Sequence, residues 1–386
     1  IKMLTRNIDF KNFKIKKNTQ KVKKKLKKIL QENNEVIKSL RKTYKNSYNR
    51  KLVNKYNKGL NYRVIGMGGS TLGTQAIYNF LGKKIKKNFS FVDNLQSITK
   101  TNNKKKFTNL VISKSGNTIE TIINTNLFLK KKHNNIFITE NKKSYLYLLA
   151  EKLKAEIIDH NNYIGGRYSV LSEVGMLPAE LMGLNSNKFK NLNMLIKNKN
   201  FFNSLISNVG STLYFIKNKK YNSVIINYDE KSENLFNWYQ QLIAESLGKN
   251  KKGILPIISN MPKDNHSVMQ LYLDGFKNNF YTFFFVKEKN STKINTNFDD
   301  NRMSYLKNKN LNQIKLSQKL ATENIFHKKN IPFRSFTVLK RDEKTLGELF
   351  SFFILETILI GKMLNLNPYD QPAVELIKNE TKKILI

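Results

Sequence analysis

Short apolar runs alternate with amphipathic stretches along most of the chain, beginning near residue 60. Apolar runs of this length, bounded by polar or glycine-containing segments, predict strands that are buried on both faces. In the first half the predicted strands are Tyr62–Gly66, Phe89–Asp93, Asn109–Ser113, Asn135–Thr139 and Glu156–Asp159. In the second half they are Ser223–Tyr228, Gly253–Ile258, Tyr281–Val286 and Arg334–Leu339.

The segments between these strands have helical spacing. Examples are Leu72–Leu81 and Ile119–Leu129, the second of which places several apolar residues on one face, namely Ile119, Ile122, Ile123 and Leu127. Regular alternation of strands and helices favours right-handed βαβ units and parallel sheets covered on both faces. The predicted fold class is therefore α/β, with mostly parallel sheets.

Both ends of the chain are predicted to be helical. Residues 1–45 carry apolar side chains at helical spacing among many lysines, and a helix packed on the body is favoured over a membrane-surface helix. Leu346–Leu364 is strongly apolar but interrupted by charged residues, which favours a buried helix over a membrane span. The predicted organisation is a helical extension (1–45), two α/β domains (46–190 and 191–345) and a C-terminal helical segment (346–386).

Composition excludes several classes of protein. The chain of 386 residues contains no cysteine, which rules out a disulfide scaffold, cysteine-ligated metal and thiol catalysis. Its four histidines are too far apart in sequence for a histidine metal motif, so no metal is predicted. No apolar signal-peptide core precedes the first lysine-rich stretch, so a cytoplasmic location is expected.

The formal net charge of +41 leaves two interpretations open. A nucleic-acid-binding surface is one, and an AT-rich codon bias is the other. The second is favoured because lysine is spread along most of the chain while arginine is scarce. Neither a nucleic acid nor a membrane is therefore predicted as a partner, although the positive field should attract anionic substrates.

A glycine-rich loop follows the first predicted strand. The run VIGMGGSTLG (Val64–Gly73) would let backbone N–H groups approach an anion at the start of a helix. Gly66 and Gly68 match the start of a dinucleotide fingerprint, and Asp93 ends a later strand, but Thr71 replaces the third glycine. Taken alone, this loop leaves a nucleotide, another phosphate and a plain tight turn as alternatives.

A second loop favours a phosphate. The run VISKSGNTIET (Val111–Thr121) places the hydroxyls of Ser113, Ser115 and Thr118 around Gly116 at the start of a helix. A phosphate monoester accepts hydrogen bonds from several such neutral donors and from backbone N–H groups. One hydroxyl would suggest an ordinary helix N-cap, but three around a glycine favour a phosphate site. Both loops should lie at the carboxyl edge of one sheet.

At these residues the chain resembles the sugar isomerase (SIS) domain family, whose phosphate loop has the form SxSGxT. Further blocks are similar to the glucose-6-phosphate isomerase family, in family order between Ile65 and Lys378. These blocks are GGRYSVLSEVG (Gly165–Gly175), WYQQLIAESLGKNKKGILP (Trp238–Pro256), DNHS with Gln270 (Asp264–Ser267), and LGELFSFFILETILIGKMLNLNPYDQPAVELIK (Leu346–Lys378).

The resemblance implies two sugar-isomerase α–β–α sandwich domains with helical extensions. It implies a cofactor-independent, homodimeric enzyme that interconverts glucose 6-phosphate and fructose 6-phosphate through a cis-enediol(ate). A non-catalytic sugar-phosphate sensor or a nucleic-acid binder is an alternative, but a sensor would need only the two binding loops. Gly116–Asn117 is closer to other sugar isomerase domains and to bifunctional glucose/mannose isomerases, so a broader hexose phosphate specificity also remains open.

Roles for individual residues follow from the resemblance. Glu245 is implied as the base that moves a proton between C2 and C1, with Gln241 one helical turn earlier contacting substrate. Arg167 is implied to stabilise the enediolate without giving up a proton. His266, reaching across the dimer, and Lys378 are implied in opening the sugar ring. The implied phosphate ligands are Gly69, Ser70, Ser113, Lys114, Ser115 and Thr118.

Overall fold

The structure, a computed structural model, describes residues 2–15, 19–96, 105–130, 133–294 and 301–386. Its strands, in chain order, are β1 (Lys2–Thr5), β2 (Ile8–Lys11), β3 (Asn61–Ile65), β4 (Asn88–Val92), β5 (Thr108–Ile112), β6 (Asn134–Thr139), β7 (Glu156–Asp159), β8 (Asn222–Asn227), β9 (Leu255–Asn260), β10 (Asn279–Val286) and β11 (Phe333–Val338).

The helices are α1 (Gln20–Gln31), α2 (Glu35–Ser39), α3 (Arg50–Tyr56), α4 (Leu72–Phe80), α5 (Ile119–Phe128), α6 (Tyr145–Lys152), α7 (Glu173–Leu181), α8 (Ser186–Phe189), α9 (Leu192–Lys197), α10 (Lys199–Lys217), α11 (Glu233–Leu247), α12 (Met269–Asp274), α13 (Leu311–Lys328), α14 (Glu343–Met363) and α15 (Val374–Leu385). Short 3₁₀ helices lie at Gly68–Ser70, Gly82–Lys84, Gly166–Leu171, Glu230–Ser232, Lys263–His266 and Asn301–Leu306.

Two sheets organise the fold. The first has the order β4-β3-β5-β6-β7 and is parallel throughout. The second has the order β1-β2-β11-β10-β8-β9, in which β8 to β11 are parallel and the first two strands are antiparallel. The predicted α/β class is therefore confirmed, and each of the nine predicted strands is present, with its bounds shifted by at most two residues.

The prediction of helix throughout residues 1–45 is wrong at its start. Residues 2–11 form a hairpin whose second strand pairs antiparallel with β11, opposing Phe10 to Phe336. Of the two strands of this hairpin, β2 alternates buried and half-buried residues, but over four positions only. That pattern is too short to outweigh the helical spacing that follows. The helical part is confirmed by α1, which buries Val22, Leu26 and Ile29.

The N-terminal hairpin therefore extends the second sheet, although it precedes the first sheet in the chain. The strands of the first sheet fall within residues 46–190, and β8 to β11 fall within residues 191–345. The proposed domain bounds themselves stay a prediction. One continuous cluster of buried apolar side chains runs from Leu4 to Ile360 and joins the two halves.

α14 is buried along most of its length, as its apolar sequence predicts. Every residue from Thr345 to Gly361 is buried, and Asp342 caps the helix by accepting a hydrogen bond from the Thr345 N–H at 2.9 Å. The helix packs against α1, α8, α10 and α11. Across the described parts of the chain, no helix combines the length and the apolar character that a bilayer crossing requires.

α5 differs from its predicted orientation. Its buried residues are Thr121, Asn124 and Thr125, whereas Ile123 and Leu127 on the predicted apolar face are 38% and 50% exposed. The helix contacts the sheet through β3 and β5, and Ile122 and Phe128 pack against the buried cluster that contains Ile65 and Val111, so polar and apolar side chains both face inward.

Candidate active site

The glycine-rich loop after β3 packs directly against two other parts of the chain. A Cβ on Gly69 would lie 2.1 Å from the Gly166 carbonyl carbon, so only glycine permits this approach. A Cβ on Gly68 would lie 2.8 Å from Gln241 Nε2. The loop thus joins the Gly166–Leu171 turn to α11. The carboxylate of Asp93 accepts a hydrogen bond from Gln75 Nε2 at 2.6 Å.

The hydroxyl loop follows β5, beside β3 in the sheet. Ser113 Oγ lies 3.1 Å from Thr118 Oγ1, and Ser115 Oγ accepts a hydrogen bond from the Asn117 N–H at 3.3 Å. Thr118 occupies the N-cap position of α5, but its side chain makes no capping hydrogen bond. The N-cap alternative therefore does not explain this hydroxyl, which remains directed to the loop.

The hydroxyl loop is held from outside by the start of α6. The Leu146 N–H donates to the Gly116 carbonyl at 3.0 Å, and the Tyr145 N–H donates to Asn117 Oδ1 at 3.0 Å. Backbone support of this kind fixes the loop before any ligand arrives, which lowers the entropic cost of binding.

The Lys114 side chain contacts Asn162 and Glu140, outside the hydroxyl loop. Its ammonium donates to the Asn162 carbonyl at 2.7 Å and lies 3.6 Å from a Glu140 carboxylate oxygen. The predicted role of Lys114 as a phosphate ligand stays a prediction.

Arg167 is 1% exposed and uses all five of its N–H groups. The acceptors are Ser246 Oγ (2.8 Å from Nε), Glu245 Oε2 (3.2 Å from Nη1), Gln371 Oε1 (2.6 Å from Nη1), and the carbonyls of Pro368 (2.8 Å from Nη2) and Asp370 (3.0 Å from Nη2). A buried guanidinium requires such complete pairing. Arg167 therefore joins the Gly166–Leu171 turn, the end of α11 and the segment before α15.

Glu245 lies at the centre of this arrangement. One carboxylate oxygen faces Arg167 and the other accepts from Gln241 Nε2 at 2.9 Å. The carboxylate side chain is 31% exposed, while Leu242 and Ile243 beside it are buried, which confirms the partial burial expected of this segment. Within the described residues Gln241 Oε1 is buried and has no hydrogen-bond partner. The amide can thus orient the carboxylate on one side.

A buried tyrosine supports the same centre. Tyr168 OH donates to the Pro368 carbonyl at 3.0 Å and lies 2.8 Å from Ser246 Oγ. Burial raises the pKa of Tyr168 to about 12, so its hydroxyl stays protonated as a donor at neutral pH.

On the surface of the site Lys249 Nζ binds Asp370 Oδ1 at 2.7 Å, and this hydrogen bond lowers the pKa of Asp370.

Gln371 is one of the site residues that the sequence reasoning missed, together with Tyr168 and Ser246. It belongs to the NPYDQ run, which was recognised only as a signature ahead of Lys378. A glutamine beside a proline in a polar turn carries no periodic signal. Its position became visible only when the tertiary contact with Arg167 was known.

The structure does not place His266 near Glu245 of the same chain. Glu245 lies at the end of α11, before β9, whereas His266 is exposed in the 3₁₀ turn after β9. The six-residue strand between them spans about 20 Å at ~3.3 Å per residue. Gln240 Nε2, on the same helix as Glu245, donates to the Pro256 carbonyl at the start of β9 at 3.0 Å, so Glu245 lies toward that end of the strand and His266 follows its other end.

Lys378 is also separate from the centre in this conformation. It lies on α15, a helix without buried residues, and pairs with Glu375 at 2.6 Å. The segment leading into that helix, however, carries Asp370 and Gln371, which contact Arg167.

Comparison with known proteins identifies the family of the chain. The family model described as phosphoglucose isomerase matches residues 6–386. A glucose-6-phosphate isomerase from Methanocaldococcus jannaschii is 34% identical over 353 residues, covering 84% of this chain and 83% of that protein. One from Mycoplasmopsis pulmonis is 33% identical, covering 83% and 82%.

Solved structures share the fold. A hypothetical protein from Thermus thermophilus superposes with a TM-score of 0.82 at 22% identity, covering 95% of this chain and 94% of that one. A glucose-6-phosphate isomerase from Chlamydia trachomatis gives a TM-score of 0.69 at 18% identity, covering 87% and 71%. Because the family model matches the chain over nearly its whole length, the chain belongs to the phosphoglucose isomerase family.

Proposed function

We propose that this chain interconverts glucose 6-phosphate and fructose 6-phosphate, with Glu245 as the base that moves one proton between C2 and C1. The observation that carries the proposal is the centre in which Glu245 is held between Arg167 and Gln241, 3.2 and 2.9 Å away. A carboxylate in a fixed, partly buried position is suited to take a proton from one carbon and return it to the next.

The two loops supply the anchor for the phosphate. Ser113, Ser115 and Thr118 offer hydroxyl donors, and Gly69 and Ser70 offer backbone and side-chain donors next to them. Gly68 and Gly69 also contact the elements that carry Gln241 and Arg167, so both ends of an extended hexose phosphate meet one continuous surface. Binding energy from the phosphate then serves to position the reacting carbons.

Arg167 acts as the electrostatic partner of the reaction. When the C2 proton moves to Glu245, negative charge develops on the enediolate oxygen, and a nearby guanidinium lowers the energy of that charge without losing a proton. Burial strengthens this effect because the surrounding dielectric is low.

Opening of the sugar ring is proposed for His266 and Lys378, with His266 supplied by a second copy of the chain. The separation of His266 from Glu245 along β9 supports this arrangement, since one copy alone leaves the histidine far from the carboxylate. The proposed enzyme is therefore a homodimer with shared active sites. A cytoplasmic location belongs to the same proposal, because charged sugar phosphates do not cross a bilayer unaided.

A coupled assay tests the reaction. Purified chain and fructose 6-phosphate should form glucose 6-phosphate, and Glu245→Gln should slow this by about 10²–10⁴-fold while Glu233→Gln, at the other end of α11, should not. Failure of the unchanged chain to form product would overturn the proposal. Turnover of mannose 6-phosphate at a comparable rate would instead support the broader specificity suggested by Gly116–Asn117.

Mixing inactive variants tests the shared site. Glu245→Gln and His266→Ala homodimers should each be inactive, whereas refolding them together should restore about a quarter of the activity. This is because half of random pairs are mixed and each holds one intact site. No recovery in proven mixed dimers would place both residues in one chain.

A further inference from the structure

Ser246 follows Glu245 on α11 but faces the interior of the protein. Its side chain is fully buried, whereas that of Glu245 is 31% exposed. Neighbouring residues of a helix point about 100° apart, so the two side chains can contact different parts of one partner. That partner is Arg167, whose Nε donates to Ser246 Oγ at 2.8 Å and whose Nη1 donates to Glu245 Oε2 at 3.2 Å.

The direction of each hydrogen bond around Ser246 follows from the chemistry of the groups. A guanidinium only donates, and a main-chain carbonyl only accepts. Arg167 Nε therefore donates to Ser246 Oγ, and Tyr168 OH donates to the Pro368 carbonyl at 3.0 Å. The Tyr168 hydroxyl has a single hydrogen, so in its contact of 2.8 Å with Ser246 Oγ it accepts. The hydrogen bonds thus run in one direction, from Arg167 through Ser246 and Tyr168 to Pro368. We call them the Ser246 series.

The Ser246 series begins and ends at the same guanidinium. The Pro368 carbonyl that accepts from Tyr168 also accepts from Arg167 Nη2 at 2.8 Å. All four residues of the series are buried. Hydrogen bonds in such a low-dielectric interior strengthen one another and specify one arrangement of the groups. The guanidinium is therefore held at Nε and Nη2, which directs Nη1 to Glu245.

The main chain of Arg167 is held by other contacts. Trp238 Nε1, about two turns before Ser246 on α11, donates to the Arg167 carbonyl at 3.0 Å. A Cβ on Gly69 would lie 2.4 Å from the Arg167 nitrogen, so the glycine-rich loop also packs on this peptide. Neither contact involves Ser246. Loss of the Ser246 hydroxyl should therefore change the orientation of the Arg167 side chain and leave the position of its turn unchanged.

We infer that Ser246 is a positioning residue of the isomerisation, which orients the Arg167 guanidinium so that Nη1 meets the developing enediolate oxygen. The inference rests on the proposed function for the reaction itself. Since Ser246 is fully buried, it acts through Arg167 and not on the sugar. A guanidinium that turns away would still leave both loops free to bind the phosphate, but it would stabilise the enediolate less. Ser246 should therefore affect kcat more than KM.

Steady-state kinetics of Ser246→Ala test the role. We expect kcat for fructose 6-phosphate to fall roughly 10²-fold, as for other small displacements of a reacting group. KM should stay within about threefold, because the interactions lost are made in the transition state. The matched control is Ser351→Ala on α14. Ser351 is also fully buried, and within the described residues its hydroxyl has no hydrogen-bond partner, so kcat and KM should not change.

Tyr168→Phe tests the series at its next member. The substitution keeps the ring and removes the hydroxyl, while Ser246 can still accept from Arg167, so kcat should fall by no more than about tenfold. The double variant Ser246→Ala/Tyr168→Phe should lose little more than Ser246→Ala alone, because the series is already interrupted. Losses that multiply would mean that the two hydroxyls act independently, which would overturn the series.

A spectroscopic measurement reports on the guanidinium without reference to activity. The chain has only eight arginines, so isotope-labelled arginine gives few Nε–H signals in NMR. The signal of Arg167 is the one absent from Arg167→Lys. It should exchange slowly with solvent in the unchanged chain, exchange faster in Ser246→Ala and shift in Tyr168→Phe. It should be unaltered in Ser351→Ala.

The outcomes separate this inference from the proposed function. Full kcat in Ser246→Ala, or a raised KM at unchanged kcat, would overturn the inference and leave the isomerase reaction untouched. If Ser246→Ala does not fold, Tyr168→Phe decides, and an unaltered kcat together with an unaltered Arg167 signal would overturn the inference. An unchanged chain without isomerase activity would overturn the proposed function and, with it, the kinetic role of Ser246, whatever the Arg167 signal shows.

Discussion

Arg167 and Glu245 are paired at 3.2 Å although 78 positions separate them in the chain, and the guanidinium is 1% exposed while the carboxylate side chain is 31% exposed. One partner is thus fixed in the interior and the other reaches the solvent-facing side of the centre. A ligand that approaches from solvent therefore meets the carboxylate first.

Glu245→Gln should lower kcat by about 10²–10⁴-fold, because an amide cannot accept the substrate proton. The shape and the hydrogen bond from Gln241 can be retained, so the affinity for a phosphorylated inhibitor should stay within a few-fold. Coupled kinetics and calorimetric titration measure the two quantities. Near-normal turnover would remove Glu245 from the role of base.

Arg167→Lys should damage both turnover and stability. A lysine offers three donors in place of five and cannot reach Ser246, Gln371 and the two carbonyls together. Buried acceptors left unpaired cost about 1–3 kcal/mol each, which should appear as a lower midpoint of thermal unfolding. Arg50→Lys, at an exposed residue, serves as the control. An unchanged midpoint would mean that the five hydrogen bonds contribute no net stability.

Ser115→Ala with Thr118→Ala should mainly raise KM, since these hydroxyls are proposed to hold the phosphate far from the reacting carbons. Each lost hydrogen bond to a charged group is worth about 1.5–3 kcal/mol. Steady-state kinetics with fructose 6-phosphate measure the change, with the exposed Ser304→Ala as comparison. If KM stays the same, the phosphate lies elsewhere.

Lys190 should make stability depend on pH in the alkaline range. Its side chain is buried beside Tyr44 and Asn46, and burial lowers its pKa from 10.5 to about 8. Between these values the unfolded chain holds a proton that the folded chain has lost, so stability rises with pH. The difference in the free energy of unfolding between the unchanged chain and Lys190→Met should therefore shift by about 2 kcal/mol in favour of the unchanged chain from pH 8 to pH 10.

The unchanged chain must be compared with Lys190→Met because buried tyrosines change the stability of both chains in the opposite direction as the pH rises. Burial raises the pKa of Tyr44 and Tyr48, so they oppose stability only once the pH exceeds their unfolded value of 10.0. Denaturant unfolding of Lys190→Met and of the exposed control Lys188→Met, each set against the unchanged chain, separates these effects. A constant difference across this range would show that Lys190 stays charged when folded.

The strands and the order of the loops were predictable from sequence because local patterns determine them. A run such as Tyr281–Val286 is apolar except for Thr282 and lies in the interior of its sheet, so burial and sequence agree. The hydroxyls of Ser113 and Thr118 were found for the same reason, since six consecutive residues of one loop contain both.

The remainder depended on contacts between distant segments. The strand Ile8–Lys11 pairs with β11, more than 300 residues later, and its own pattern is too short to reveal this. Gln371 reaches the site only because the turn before α15 packs on Arg167. For α5, the apolar stripe was visible in the sequence, but which of its side chains are buried depends on tertiary structure.

The hydrogen bonds of Arg167 divide into permanent and exchangeable ones. Nε and Nη2 are tied to Ser246 and to main-chain carbonyls, whereas both acceptors of Nη1 are side chains, from Glu245 and Gln371. In the proposed reaction, a carboxylate that gains the sugar's proton also loses its negative charge and its hold on Nη1. That nitrogen is then released toward the oxygen that has just become anionic, so the total charge beside the guanidinium hardly changes during turnover.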